Sequence, residues 1–340
     1  MNSPTHTPDA SPMPVRAFYR AISIPGCAAP YDRASLKIYY PCAPGGSDEE
    51  RNSGVIPAAT EGAPFPVAII LPGINVGPES YGWLARGLAA GGVITVTYTL
   101  VAEEMPGYIS LTPGLSMAAL APANYGQSPS ATALAPILQE LALLNRQGLL
   151  AGLLDLERVV LGGHSAGGTV AILNARPDWF PGIAAAFSYG AHAGAATALG
   201  YPPDSLFNVP ARVPLLIMGG SRDGCIAHSA GRYGQDREGS ATAKVELTFD
   251  RGLNCDRGDS YLAIIDGANH FSLAWPRDDT TGRPFIDLPT NRPDEQLRGL
   301  LAELVRDFVA ATLCGDESAR SRLETTLLAG HELIARGARR

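Results

Sequence analysis

The stretch that most constrains this chain is residues 157–168, Glu-Arg-Val-Val-Leu-Gly-Gly-His-Ser-Ala-Gly-Gly. Val159, Val160 and Leu161 form a short apolar run that reads as a buried strand. Gly163-His164-Ser165-Ala166-Gly167 then fits the pattern G-x-S-x-G, and residues 169–174 read as the start of a helix. A strand must therefore give way to a helix across a very tight turn with a serine at its apex. Such a turn projects the hydroxyl out of the sheet, in a backbone conformation that costs about 1–3 kcal/mol. Gly163 and Gly167 lack Cβ atoms, so strand and helix can approach closely on both sides of Ser165. The pattern is short, and glycine and alanine are abundant here. Its meaning turns on whether an acid and a histidine follow at matching places.

The chain has 340 residues, of which 46% are apolar, so it can bury a large α/β core. Its net charge of −7 is spread without long runs, which argues against nucleic acid or an anionic membrane surface as the main partner. No apolar run reaches the length of a transmembrane segment. Residues 1–14 are polar and proline-rich, with neither a basic n-region nor an apolar h-region. They read as disordered, no secretory signal is visible, and a cytoplasmic location is expected. Cys27, Cys42, Cys225, Cys255 and Cys314 show no metal-ligand spacing. A Cys225–Cys255 bridge, which would suggest an oxidising compartment, stays open.

Taken in order, residues 15–24 and 36–40 read as strands, and residues 43–64 as a surface loop or disordered insertion. Residues 65–71 are continuously apolar, the pattern of a strand covered on both faces. Pro72-Gly73-Ile74-Asn75 follows, then a helix over 80–90 and a strand over 93–100, by default a parallel βαβ unit. Residues 102–130 are long and irregular, as in a lid or pocket wall, before a helix over 131–147. Further strands are expected at 183–189, 213–218, 244–249 and 261–265. An amphipathic helix covers 296–313 and a second helix with a basic end covers 318–338. The alternation specifies an α/β sandwich with a mostly parallel central sheet flanked by helices on both faces. The main domain spans residues 15–314, and residues 315–340 form a C-terminal helix that is a candidate dimerisation element.

In such a sheet the reactive groups gather at the carboxyl ends of the strands. Asp223 stands five residues beyond Met218 and His270 five residues beyond Ile265, each just past a strand. A serine hydroxyl is a poor nucleophile at neutral pH; it needs an imidazole to take its proton and a carboxylate to orient that imidazole. Ser165, Asp223 and His270 supply these groups in the order Ser…Asp…His. Each alone has an ordinary structural role, Asp223 in an Asx-turn and His270 as a cap; together they point to nucleophilic catalysis. The developing oxyanion needs two backbone donors, assigned to Ala166 and Ile74, with Asn75 as second choice for the latter. His164, beside the serine in a sharp turn, should point away from it. Asn75, Tyr108, Tyr125 and Phe271 are candidate substrate-binding residues, and Trp83 is a further candidate for the pocket wall, although aromatic residues at helical or strand spacing are more often core. His192 and His228 near the same rim are candidate substrate contacts, although solvated loop residues are the more ordinary reading for both.

With LPGIN at 71–75, GGHSAGG at 162–168, GGSRDG at 219–224 and GANHF at 267–271, the chain resembles the serine α/β-hydrolases. The resemblance covers roughly residues 15–314 and lies in the neighbourhood of dienelactone-hydrolase-like proteins, chlorophyllases and cutinase-like polyester hydrolases. It implies an α/β-hydrolase fold and hydrolysis of a small-molecule carboxylic ester through an acyl-enzyme, with no metal or organic cofactor. Thioester, lactone or amide cleavage and acyl transfer use the same groups. A ligand-binding protein of this fold without catalysis is the alternative of another class.

Overall fold

A computed structural model describes residues 12–105, 107–235, 239–254 and 257–340. Among these residues ten strands build one sheet: β1 Val15–Ser23, β2 Arg33–Pro41, β3 Phe65–Leu71, β4 Ile94–Met105, β5 Tyr108–Leu111, β6 Leu154–His164, β7 Ile183–Tyr189, β8 Leu215–Gly220, β9 Tyr261–Ile265 and β10 Ile334–Arg339. The order across the sheet is β1-β2-β4-β3-β6-β7-β8-β9-β10, with β5 on the outer part of β4. Every pairing from β4 through β9 along this path is parallel. β1 and β2, β2 and β4, β9 and β10, and β4 and β5 pair antiparallel, so the sheet is mixed with a parallel centre.

Side chains alternate across β3, and the alternation sorts the core into two layers. Val67, Ile69 and Leu71 pack into one, with Ile137 and Leu141 of the helix Leu134–Arg146 and Val170 of the helix Ala166–Leu173. Ala68 and Ile70 pack into the other, with Leu84 and Leu88 of the helix Gly82–Ala90 and Leu301, Leu304 and Phe308 of the helix Asp294–Leu313. Trp83 belongs to this second layer, where its indole N–H donates to the Leu273 carbonyl. Covered on both faces, β3 can be apolar at every position. No helix among the described residues is long and apolar enough to cross a membrane.

Four local expectations are corrected. Residues 43–64 are ordered: Ser47 caps the helix Asp48–Ser53, and the Glu50 carboxylate accepts the Gly45 and Gly46 amides. Much of 102–130 is regular as well, because β4 runs on and turns back as β5, with Val101 opposite Leu111. Residues 244–249 are helical, in Ala243–Leu247 and the wider turn Thr248–Gly252. Val245 and Phe249 are both buried, and a spacing of four satisfies strand and helix periods equally over so short a run. The terminal helix stops after Glu317–Leu328, the chain turns at Gly330 (φ 88°), and the expected basic end is β10 on the sheet edge. There Arg336 pairs with Glu246 and Asp250, and Arg339 with Glu324, charges that suit an edge strand. Ala319, Leu323 and Leu327 of the terminal helix are buried within the chain, so this face is already covered. Residues 1–11 lie outside the described residues, and residues 12–14 lead straight into β1.

Candidate active site

β3, β6, β8 and β9 run parallel, so the loops that follow them meet at one rim. Ser165 follows β6 at φ 54°, ψ −126°, a conformation that non-glycine residues rarely adopt. What holds it there is close packing of main chain. A Cβ on Gly163 would lie 2.2 Å from the Gly167 carbonyl oxygen, and one on Gly167 would lie 2.2 Å from that of Leu71. The Ser165 amide donates to the Tyr189 carbonyl at 2.9 Å, and the Ser165 carbonyl accepts the Thr169 amide, starting the helix Ala166–Leu173.

Asp223 follows β8 and is 1% exposed. Its Oδ1 accepts the Ile226 amide at 2.8 Å, capping the short helix Gly224–His228, and its Oδ2 lies 2.8 Å from His270 Nδ1. Because a carboxylate accepts, Nδ1 carries the hydrogen and Nε2 is left with the lone pair. Burial alone would lower the His270 pKa; the Asp223 charge and hydrogen bond, with the charge of Asp287, outweigh it and hold it above the ordinary value. Gly190 backs the pair: at φ 58°, a Cβ there would lie 3.0 Å from His270 Nδ1 and 3.1 Å from Asp223 Oδ2. Ser165 and His270 line the same cavity of about 170 Å³. Among the described residues no hydrogen bond joins the serine hydroxyl to the imidazole, and such contacts commonly tighten only when substrate is bound.

The loop after β3 sorts its amides clearly. Gly73 N–H donates to the Tyr81 hydroxyl at 2.9 Å, Asn75 N–H to the Leu111 carbonyl at 3.0 Å, and Val76 N–H to the Gly73 carbonyl at 3.2 Å. The Ile74 amide alone in this loop has no partner among the described residues, and Ile74 and Ala166 both line the cavity. Ala166 is the first residue of its helix, where the amide has no acceptor within the helix. Asn75, the second choice, is occupied: its amide goes to Leu111 and its Oδ1 accepts the Leu111 amide, pinning the loop to β5.

His164 is fully buried and does not line the cavity that holds Ser165. Its Nε2 lies 2.9 Å from the His270 carbonyl, which only accepts, so Nε2 carries the hydrogen and Nδ1 receives the Tyr81 hydroxyl at 2.9 Å. Burial, with the neighbouring His270 charge, holds its pKa well below the ordinary range and keeps the ring neutral. A buried relay thus runs from the Gly73 amide through Tyr81 and His164 to the residue that carries the imidazole.

Of the sequence candidates for substrate binding, Asn75, Tyr108, His192 and Phe271 line the same cavity as Ser165. His192 is buried rather than solvated, and its ring meets Tyr233 edge-on at 4.8 Å. Its Nδ1 accepts the Gly194 amide, so Nε2 carries the hydrogen; burial, then the Lys244 and His270 charges, pull its pKa down to about 4. Tyr125 is elsewhere: it packs against Phe207, donates to the Asn208 carbonyl and borders a second cavity with Arg176 and Trp179. His228 is exposed and does not line the cavity. Among the described residues the one cluster with metal-ligand chemistry is Asp223, Cys225 and His270, the hydrogen-bonded Asp223–His270 pair with a thiol beside it. Cys255, the other half of the bridge left open by the sequence, lies outside the described residues. The signal missed in the sequence is Asp287, whose Oδ1 accepts the Gly224 amide at 2.8 Å and whose Oδ2 accepts the Phe271 amide at 3.3 Å.

No protein-family model matches the sequence, and no curated protein matches it. Among solved structures the chain is similar to a ferulic acid esterase from Streptomyces cinnamoneus, at 15% identity and a TM-score of 0.55, over 89% of this chain and 91% of that one. With the strand order and the parallel centre described above, that likeness shows an α/β-hydrolase fold.

Proposed function

We propose that this protein is a serine hydrolase that cleaves a carboxylic ester through an acyl-enzyme. The observation that carries this reading is the buried 2.8 Å pair of His270 Nδ1 and Asp223 Oδ2, opening on the cavity whose wall also holds Ser165 at φ 54°. His270 Nε2 takes the Ser165 proton as the hydroxyl oxygen attacks the ester carbonyl, and Asp223 stabilises the imidazolium that forms. The amides of Ile74 and Ala166 receive the oxyanion, donors of a kind typically worth about 3 kcal/mol each in the transition state. His270 then protonates the departing alcohol, and a water activated by the same nitrogen releases the acid and restores the serine.

The cavity sets the substrate's character. At about 170 Å³ it is small beside ordinary ligand pockets of roughly 300–1,000 Å³, which suits a compact acyl group with the alcohol portion outside. Among the described residues its wall holds Arg232, Arg283 and His192 but no carboxylate, in a chain whose net charge is −7. Neutral or anionic esters are therefore favoured over cationic ones. Tyr108 and Phe271 supply aromatic wall, and the neighbouring structure's name places aromatic acyl esters in the first substrate panel. The test is hydrolysis of p-nitrophenyl and aromatic acyl esters by the protein and by Ser165→Ala. The expected result is turnover that falls by about 10⁴-fold or more in the variant. Turnover that survives the substitution would remove Ser165 from the mechanism.

A further inference from the structure

The acid and the base of the proposed site sit on separate loops, and one half-buried carboxylate touches both. Asp287 follows the short turn Pro284–Ile286, 63 residues from Gly224 and 16 from Phe271 in sequence. Its Oδ1 accepts the amide of Gly224, the residue after Asp223, at 2.8 Å. Its Oδ2 accepts the amide of Phe271, the residue after His270, at 3.3 Å. Its main chain is equally close: a Cβ on Gly224 would lie 2.6 Å from the Ile286 oxygen and 2.6 Å from the Leu288 nitrogen. A glycine after Asp223 is thus what admits the Asp287 loop.

From this geometry we propose that Asp287 is a positioning residue, a clamp that fixes the spacing of the Asp223 and His270 loops. It also sets a second negative charge beside the imidazolium formed during the reaction. The inference rests on the hydrolase reading above. A side chain needed only to order loop 274–293 would use any hydrogen-bonding group; this one is a partly buried carboxylate next to another carboxylate. Burial, then the Asp223 charge, hold its pKa above the ordinary carboxylate value, against the lowering pull of the His270 charge and of the Gly224 and His270 amides. The charged and titratable groups facing His270 are Asp223, Asp287 and Arg283, the neutral rings of His164 and His192, and the Cys225 thiol. Arg283 opposes the two carboxylates, so the balance at the imidazole depends on Asp287.

The experiment is the pH profile of kcat/KM for wild type, Asp287→Asn, Asp287→Glu and Ser165→Ala on one neutral ester, with thermal midpoints recorded for each. Wild type should show an acid limb above the ordinary imidazole value of about 6.5. In Asp287→Asn, which keeps the shape and loses the charge, the limb should move down by about one pH unit. kcat should fall by about 10- to 100-fold with KM changed little, as for a misplaced catalytic group. Asp287→Glu should return the limb toward wild type. An Asp287→Asn limb that stays in place would overturn the proposal, whether the thermal midpoint drops or holds. Failure of the underlying reading looks different, because Ser165→Ala would then remain active.

Discussion

The two sides of the site are held by different physics. On the Ser165 side, the proposed nucleophile is fixed by main chain pressed on main chain: Gly163 against Gly167, and Gly167 against the β3 terminus, with no space for a methyl group. On the other side, the proposed base His270 is fixed by polar contacts gathered from across the chain. Asp223 holds its ring, His164 holds its carbonyl, and Asp287 holds the amide that follows. The Asn269 side chain donates to the Leu288 carbonyl, and the Asn269 carbonyl receives the Tyr189 hydroxyl. Steric fixing is local and unforgiving; polar fixing is distributed, and each contact can be weakened singly. A strained nucleophile is best carried by a rigid frame. A base that must gain and lose a proton gains from surroundings whose charges can be arranged separately.

Substitutions should separate the two sides. Gly167→Ala drives a Cβ to 2.2 Å from the Leu71 oxygen and 2.5 Å from the Pro72 oxygen, both main chain. It should destabilise by about 4 kcal/mol or more, read by denaturant unfolding or as loss of soluble protein. A folded, active Gly167→Ala protein would break the contrast. Gly190→Ala should act on chemistry instead. Its Cβ would meet the His270 ring and the Asp223 carboxylate at 3.0–3.1 Å, so the pair must shift while the sheet stays intact. kcat/KM should fall by about 100-fold, with circular dichroism unchanged. Tyr81→Phe should give the smallest effect. It leaves the buried Gly73 amide without its acceptor and His164 Nδ1 without its donor, at about 1–3 kcal/mol of stability by thermal or urea unfolding. A Tyr81→Phe protein as stable as wild type would show that the relay is not part of what holds the base loop.

The same division explains what could be read from the sequence. Parallel strands place their carboxyl ends together, so a serine, an aspartate and a histidine each just past an apolar strand were legible without coordinates. The elbow glycines were legible too, because Gly163 and Gly167 meet each other across the turn; that Gly167 also meets the Leu71 and Pro72 carbonyls was not. Asp287 was not, since it lies 63 residues from Gly224 in a polar loop that also holds Asp278 and Asp279. His164 was read only as pointing away, because its partners, Tyr81 and the His270 carbonyl, are 83 and 106 residues distant. Tyr125 was misplaced because the segment 102–130 folds back in a hairpin and takes only its Tyr108 end to the cavity. The edge strand β10, Ile-Ala-Arg-Gly-Ala-Arg, has no apolar alternation of its own; its partner β9 and the acids that meet its arginines define it.

The most direct measurement of the central claim is labelling with a fluorophosphonate, followed by mass mapping of the modified peptide in wild type and His270→Ala. If the hydroxyl of Ser165 is the nucleophile and His270 its base, the adduct maps to Ser165 and its rate of formation falls by about 10³-fold or more without the imidazole. An adduct on another residue, or labelling of Ser165 at an unchanged rate in His270→Ala, would contradict the account.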